Sequence, residues 1–148
     1  MQKAIFLFLL LFVAVESAFA AAWTGANNEP NDMKNIDGKA FYVITNANEL
    51  AWFANQVNGG RTSINAVLAN DIVFGSSTTV TSTVNWTPIG KDSTAIFNGT
   101  FDGAGHTIYG LYSKQTAAGQ YEPAFSGIFR FRDRSRNNDP YIPVLLYG

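Results

Sequence analysis

Hydrophobic positions along the chain come in three styles. They are unbroken from Ala4 to Val15 (AIFLFLLLFVAV). They recur at helical spacing from Leu50 to Val57. Beyond Ile64 they come as short runs cut by turn formers. The first style follows Lys3 and precedes Ala18-Phe19-Ala20, a small-x-small pattern, which predicts a cleavable secretory signal peptide over residues 1–20. Ala20-Ala21-Ala22 offers a second cleavage frame. Glu16 closes the run short of the roughly 20 apolar residues a bilayer span requires. No later segment is apolar enough, so no membrane span is expected after cleavage.

Residues Ala21–Lys39 are polar and rich in turn formers, and they predict an irregular lead-in with Trp23 tucked against the body. Phe41–Thr45 is β-branched and aromatic and predicts a strand, so residues 21–46 form the lead-in and first strand. Asn46 is a good helix N-cap, with Glu49 at the capping-box position three residues on. Leu50, Phe53, Ala54 and Val57 then trace one buried stripe of a helix from Ala47 to about Asn58, which Gly59-Gly60 ends. Trp52 points away from that stripe, either exposed or covered, with the lead-in as the expected cover.

From Ile64 onward β-prone runs alternate with turn clusters: Ala66–Phe74, Thr78–Trp86, Phe97–Phe101, His106–Tyr112 and Ala124–Phe129. Phe97, Gly99 and Phe101 fall on one face of a strand. Asp102-Gly103-Ala104-Gly105 supplies a tight corner, and Gly110 a bend between Ile108 and Leu111. Asn70-Asp71-Ile72 is a similar strand-to-corner passage, where Asp and Asn side chains bond to backbone N–H groups. The pattern suits a coil wound round a shared core, whose windings must stack to bury it. Short strands at this spacing also suit a β-sandwich, and the pattern alone leaves both open.

Charge is sparse and balanced, with 10 Lys+Arg against 11 Asp+Glu, so no basic footprint for nucleic acid is present. Cysteine is absent, which removes disulfide staples and thiolate zinc sites. The single histidine, His106, excludes a two-histidine zinc helix and leaves no defensible Ser-His-Asp order; it reads as a corner residue.

ELAWFANQVNGG (Glu49–Gly60), NAVLANDI (Asn65–Ile72), NWTPIG (Asn85–Gly90) and FNGTFDGAGHTIYGLY (Phe97–Tyr112) resemble the opening of large bacterial surface proteins. Those proteins carry GLUG-type rungs, in adhesin-like β-helix proteins and beside some immunoglobulin A peptidases. The resemblance runs from about Trp23 to Phe129. It implies a mainly β fold, a right-handed parallel β-helix started by one capping α-helix, with cap and rungs over residues 47–129. It also implies a non-enzymatic role in display, adhesion or carbohydrate contact, in a secreted protein or at the bacterial cell surface or outer envelope. The expected partners are further rungs of a longer relative, self-association through an open end, and extracellular glycans.

The pattern stops at Arg130. Four arginines lie between Arg130 and Arg136, and the tail is near +2 while the body from Ala21 to Phe129 is near −3. Residues 130–148 are expected to be a disordered or foreign tail, such as a truncated or frame-shifted gene end would leave.

The resulting expectations assign structural capping to Asn46, Glu49, Leu50, Phe53 and Val57. Rung corners fall to Asp71, Asp102, Gly103 and Gly105, and glycan contact to Trp52, Trp86, Tyr109 and Tyr112. No catalytic, cofactor or metal site is assigned: calcium needs about 6–8 oxygen ligands, and Asp71, Asp92 and Asp102 are isolated in sequence. The competing reading is the amino-terminal part of a lyase-like carbohydrate-active or peptidase-linked extracellular enzyme whose catalytic part lies elsewhere.

Overall fold

The computed structural model describes residues 21–91, 94–113 and 128–129. Its first regular element corrects the expected irregular lead-in. β1 (Met33–Ile36) pairs antiparallel with β2 (Lys39–Ile44), Met33 opposite Tyr42 and Ile36 opposite Lys39. Asp37 and Gly38 turn the hairpin with φ of 50° and 78°, and Asn35 Oδ1 accepts from the Gly38 N–H at 3.0 Å. Two successive positive-φ residues give a turn whose twist matches that of paired strands, and Asp-Gly supplies it. The strand was hidden in the sequence because three of its four side chains are exposed and only Ile36 is half-buried.

Helix α1 runs from Ala47 to Asn58. Asn46 is extended, and its side chain accepts from the Glu49 N–H at 3.1 Å. The Glu49 carboxylate reaches one residue further back than a capping box requires. Its Oε2 accepts from both the N–H (2.6 Å) and the hydroxyl (2.7 Å) of Thr45. Leu50, Phe53 and Val57 are fully buried. The positive φ that releases the chain falls on Gly60 (109°), while Gly59 stays at −88°.

After the hairpin the described strand pairs are parallel. β2 pairs with β3 (Asn65–Leu68), and β3 with β5 (Phe101–Asp102), giving the sheet order β1-β2-β3-β5. β4 (Ile72–Val73) pairs with β6 (Ile108–Tyr109) in a second, two-stranded sheet. Passage from β3 through Asn70-Asp71 to β4 is thus laid beside passage from β5 through Gly103–Gly105 to β6. Ile89 makes a further parallel bridge to Phe129.

Thr78–Trp86, expected as a strand, is irregular. Its polar side chains satisfy the backbone locally: Ser82 Oγ accepts from the Val84 N–H at 3.1 Å, and Ser77 Oγ from the Thr79 N–H at 3.4 Å. The segment still stacks on its neighbour, Ser82 N–H donating to Gly110 O (2.7 Å) and Trp86 N–H to Tyr112 O (2.6 Å). The approach is close enough that a Cβ on Gly75 or Gly110 would run into the Val80 carbonyl.

One core joins these parts. The α1 stripe meets Ile44, Leu68, Ile72, Phe74, Trp86 and Ile89 in a single cluster. Phe53 contacts the rings of Phe97 and Phe101, both at 5.9 Å between centroids, so both of these aromatic residues reach the helix. Trp23 packs edge-on against Phe74 at 5.0 Å and lies 6.0 Å from Trp86. Burial of such aromatic surface is the main favourable term available to a chain without disulfides.

Candidate functional site

Polar residues at the corners link one passage of the chain to the next. Asp71 Oδ1 accepts from the Thr107 N–H at 2.9 Å and lies 3.3 Å from His106 Nδ1. Asp102 Oδ1 accepts from the Ala104 N–H at 2.8 Å, within its own corner. That corner is built on Ala104 (φ 47°) and Gly105 (φ 80°), whereas Gly103 needs no positive φ. Both carboxylates thus accept from backbone N–H groups. Asp92 lies outside the described residues. Among the described residues no three His, Asp or Glu side chains converge as metal ligands would.

Two asparagines that sequence reasoning passed over span adjacent segments. Asn65 Nδ2 donates to Ala40 O (3.1 Å) while its Oδ1 accepts from the Thr100 N–H (2.9 Å), so one amide joins three parallel passages. Asn58, at the end of α1, donates to Pro88 O (3.0 Å) and accepts from the N–H groups of Gly90 and Lys91 (both 2.9 Å). An amide carries donors and an acceptor on one planar group, which is what bridging two backbone edges requires. The asparagine-rich composition was the available signal, but it does not say which of the asparagines bridge.

The four expected glycan contacts separate. Trp86 is 2% exposed, sits between Trp23 and Phe74, and donates its indole N–H to Ile128 O at 3.3 Å. It has no free face, and its assignment as a glycan contact is withdrawn: an indole of that area gains most by full burial. Tyr109 is half-buried on β6, and Tyr112 is exposed with its carbonyl spent on Trp86. Among the described residues no ring contact links either tyrosine to Trp52.

Trp52 is half-buried. Tyr42 of β2 stands edge-on to it at 5.0 Å between centroids. The Arg61 guanidinium lies 5.8 Å from the Tyr42 centroid and 5.9 Å from that of Trp52. Arg61 Nη2 donates to the Tyr42 hydroxyl and Nη1 to Gln56 Oε1, both at 2.9 Å. Tyr42, Gln56 and Arg61 were not singled out from the sequence; the helix turn between Trp52 and Gln56 and the pairing of β2 with β3 bring them together.

A shallow groove of about 400 Å³ lies between the β1–β2 turn and β5, lined by Asp37, Lys39, Phe41, Thr100 and Asp102 among others. No helix among the described residues is long and apolar enough to cross a membrane.

Compared with known proteins, the chain matches no family model, and no curated protein or solved structure matches it.

Proposed function

We propose that this chain is a non-enzymatic, adhesin-like surface scaffold. It is the capping helix and first rungs of a parallel β-helix, exported by its leader, whose outer surface contacts carbohydrate and whose far rung takes a further copy or further rungs. The observation that carries this reading is the parallel pairing of one passage, β3 and β4, with the next, β5 and β6, at nearly constant offset along both strands. Asn65 meets Thr100 and Asp71 meets Thr107, 35 and 36 residues apart, and the two corners lie one over the other. The buried face of α1 supports the capping role, because Leu50, Phe53 and Val57 face the same core as those passages. The corner carboxylates support a structural use of the acids: each is spent on a backbone N–H group.

The test is a glycan array combined with a lyase and hydrolase screen on the full chain. Retention on glycans without turnover is the expected result. Turnover that disappears in Asp71→Asn or Asp102→Asn overturns the non-enzymatic reading. Size-exclusion chromatography tests the open end: a concentration-dependent shift to dimers or larger species is expected, because an uncovered rung presents unpaired strand edges.

A further inference from the structure

Tyr42, Trp52 and Gln56 gather round the exposed cation of Arg61. The Arg61 side chain is exposed, yet its guanidinium is anchored by neighbouring side chains. Two aromatic rings lie within 6 Å, and one hydrogen bond leaves each Nη. The backbone is fixed as well, since the Arg61 N–H donates to Gln56 O at 3.0 Å. An arginine has five N–H donors in a planar fork. Two of these hydrogen bonds are internal, which leaves the rest of the fork unspent. Among the described residues no carboxylate lies within ion-pair distance of it, the His106–Asp71 contact being elsewhere. The Trp52 indole N–H likewise donates to no described group, although the ring is half-buried and in contact.

A fixed guanidinium with a vacant edge matches a planar carboxylate, and a partly exposed indole matches the apolar face of a sugar ring. The aromatic contacts and the two internal hydrogen bonds also reduce the entropy lost on binding, because the arginine is already held. We infer that Arg61, with Trp52 beside it, is a contact site for the carboxylate of an acidic sugar, a uronic acid residue within an extracellular polysaccharide. Tyr42 and Gln56 are positioning residues that hold the fork. The inference rests on the carbohydrate-contact reading above and adds the class of sugar and the residues that select it.

The test is isothermal titration of the full chain with three hexasaccharides: a galacturonate oligomer, the same oligomer with its carboxyls reduced to alcohols, and a sulfated neutral oligomer. The galacturonate is expected to bind at least about tenfold more tightly than its reduced form, as a charge-assisted bidentate contact would require. The sulfated oligomer is expected to bind no better than the reduced one. Arg61→Lys keeps the charge and loses the fork, and is expected to weaken galacturonate binding about tenfold; Trp52→Phe keeps the ring and loses the indole N–H, and is expected to weaken it about threefold.

Equal binding of acidic and reduced oligomers, equal or tighter binding of the sulfated one, or unchanged affinity in Arg61→Lys overturns the inference. If Arg61→Lys lowers the melting temperature, Tyr42→Phe decides: it removes one positioning hydrogen bond, and undiminished galacturonate affinity there overturns the site. A chain that ignores galacturonate yet is retained on neutral glycans loses this site and keeps its proposed role as an adhesive scaffold. Retention on no glycan at all removes both.

Discussion

The amino-terminal unit, β2–α1–β3, and the later passages from Gly75 to Ser113 are stabilised in different ways. In the first, regular elements bury a continuous apolar stripe: Ile44, Leu50, Phe53, Val57 and Leu68 are all within 3% of full burial. In the second, the regular strands β5 and β6 are two residues each, and order comes from single backbone hydrogen bonds to the neighbouring passage and from bridging side chains. A helix satisfies its own backbone and needs a partner only for one face. The short strands and irregular stretches of the later passages satisfy less of their backbone internally, so each depends on hydrogen bonds to the passage beside it.

That contrast can be broken by mutation. Phe53→Ala removes the ring that meets both Phe97 and Phe101, and a loss of about 3–5 kcal/mol is expected in urea denaturation. The two regions should then melt together, because Phe53 belongs to both. A variant in which the coil passages lose hydrogen-exchange protection while α1 keeps its own would show instead that they are separate units. Gly75→Ala places a Cβ against the Val80 carbonyl, and about 1–3 kcal/mol is expected from the forced shift. Its local signature should be faster exchange of the Ser82 and Trp86 amides, with α1 unaffected.

Asn58→Ala cuts the tie between the two regions directly. Three partners lose their bonds, Pro88 O and the N–H groups of Gly90 and Lys91, and a loss of about 1–3 kcal/mol is expected by chemical denaturation. Stability equal to the parent would mean that water replaces the amide and that the tie is incidental. Asn46→Ala should cost about 1 kcal/mol through loss of the helix cap, read as a lower melting temperature. Asp71→Ala is the mildest: its side chain is exposed at the corner, and about 0.5 kcal/mol is expected for the lost bond to Thr107, read as a small drop in melting temperature.

The helix was fully legible in the sequence, from its cap at Asn46 to its end at Asn58, because periodicity, capping and glycine release are all local signals. The β1–β2 hairpin was missed although Asp37-Gly38 announces it, since exposed strands such as β1 carry no hydrophobic alternation. Thr78–Trp86 differs in the opposite direction: its β propensity is real, but the Ser77 and Ser82 hydroxyls take up backbone N–H groups that a ladder would need.

Sequence by itself determined the α1 stripe, the turns and the absence of cysteine-based devices, all properties of residues a few positions apart. Only the tertiary structure decided that Trp86 is core and Trp52 is partly open, that Asn65 and Asn58 are the bridging amides, and that Arg61 lies over Tyr42 and Trp52. The physical reason is that indole, amide and guanidinium groups suit both a core and a surface. Which role each takes depends on partners in other elements, from 9 residues away for Arg61 and Trp52 to 42 for Trp86 and Ile128, brought alongside by the packing of those elements.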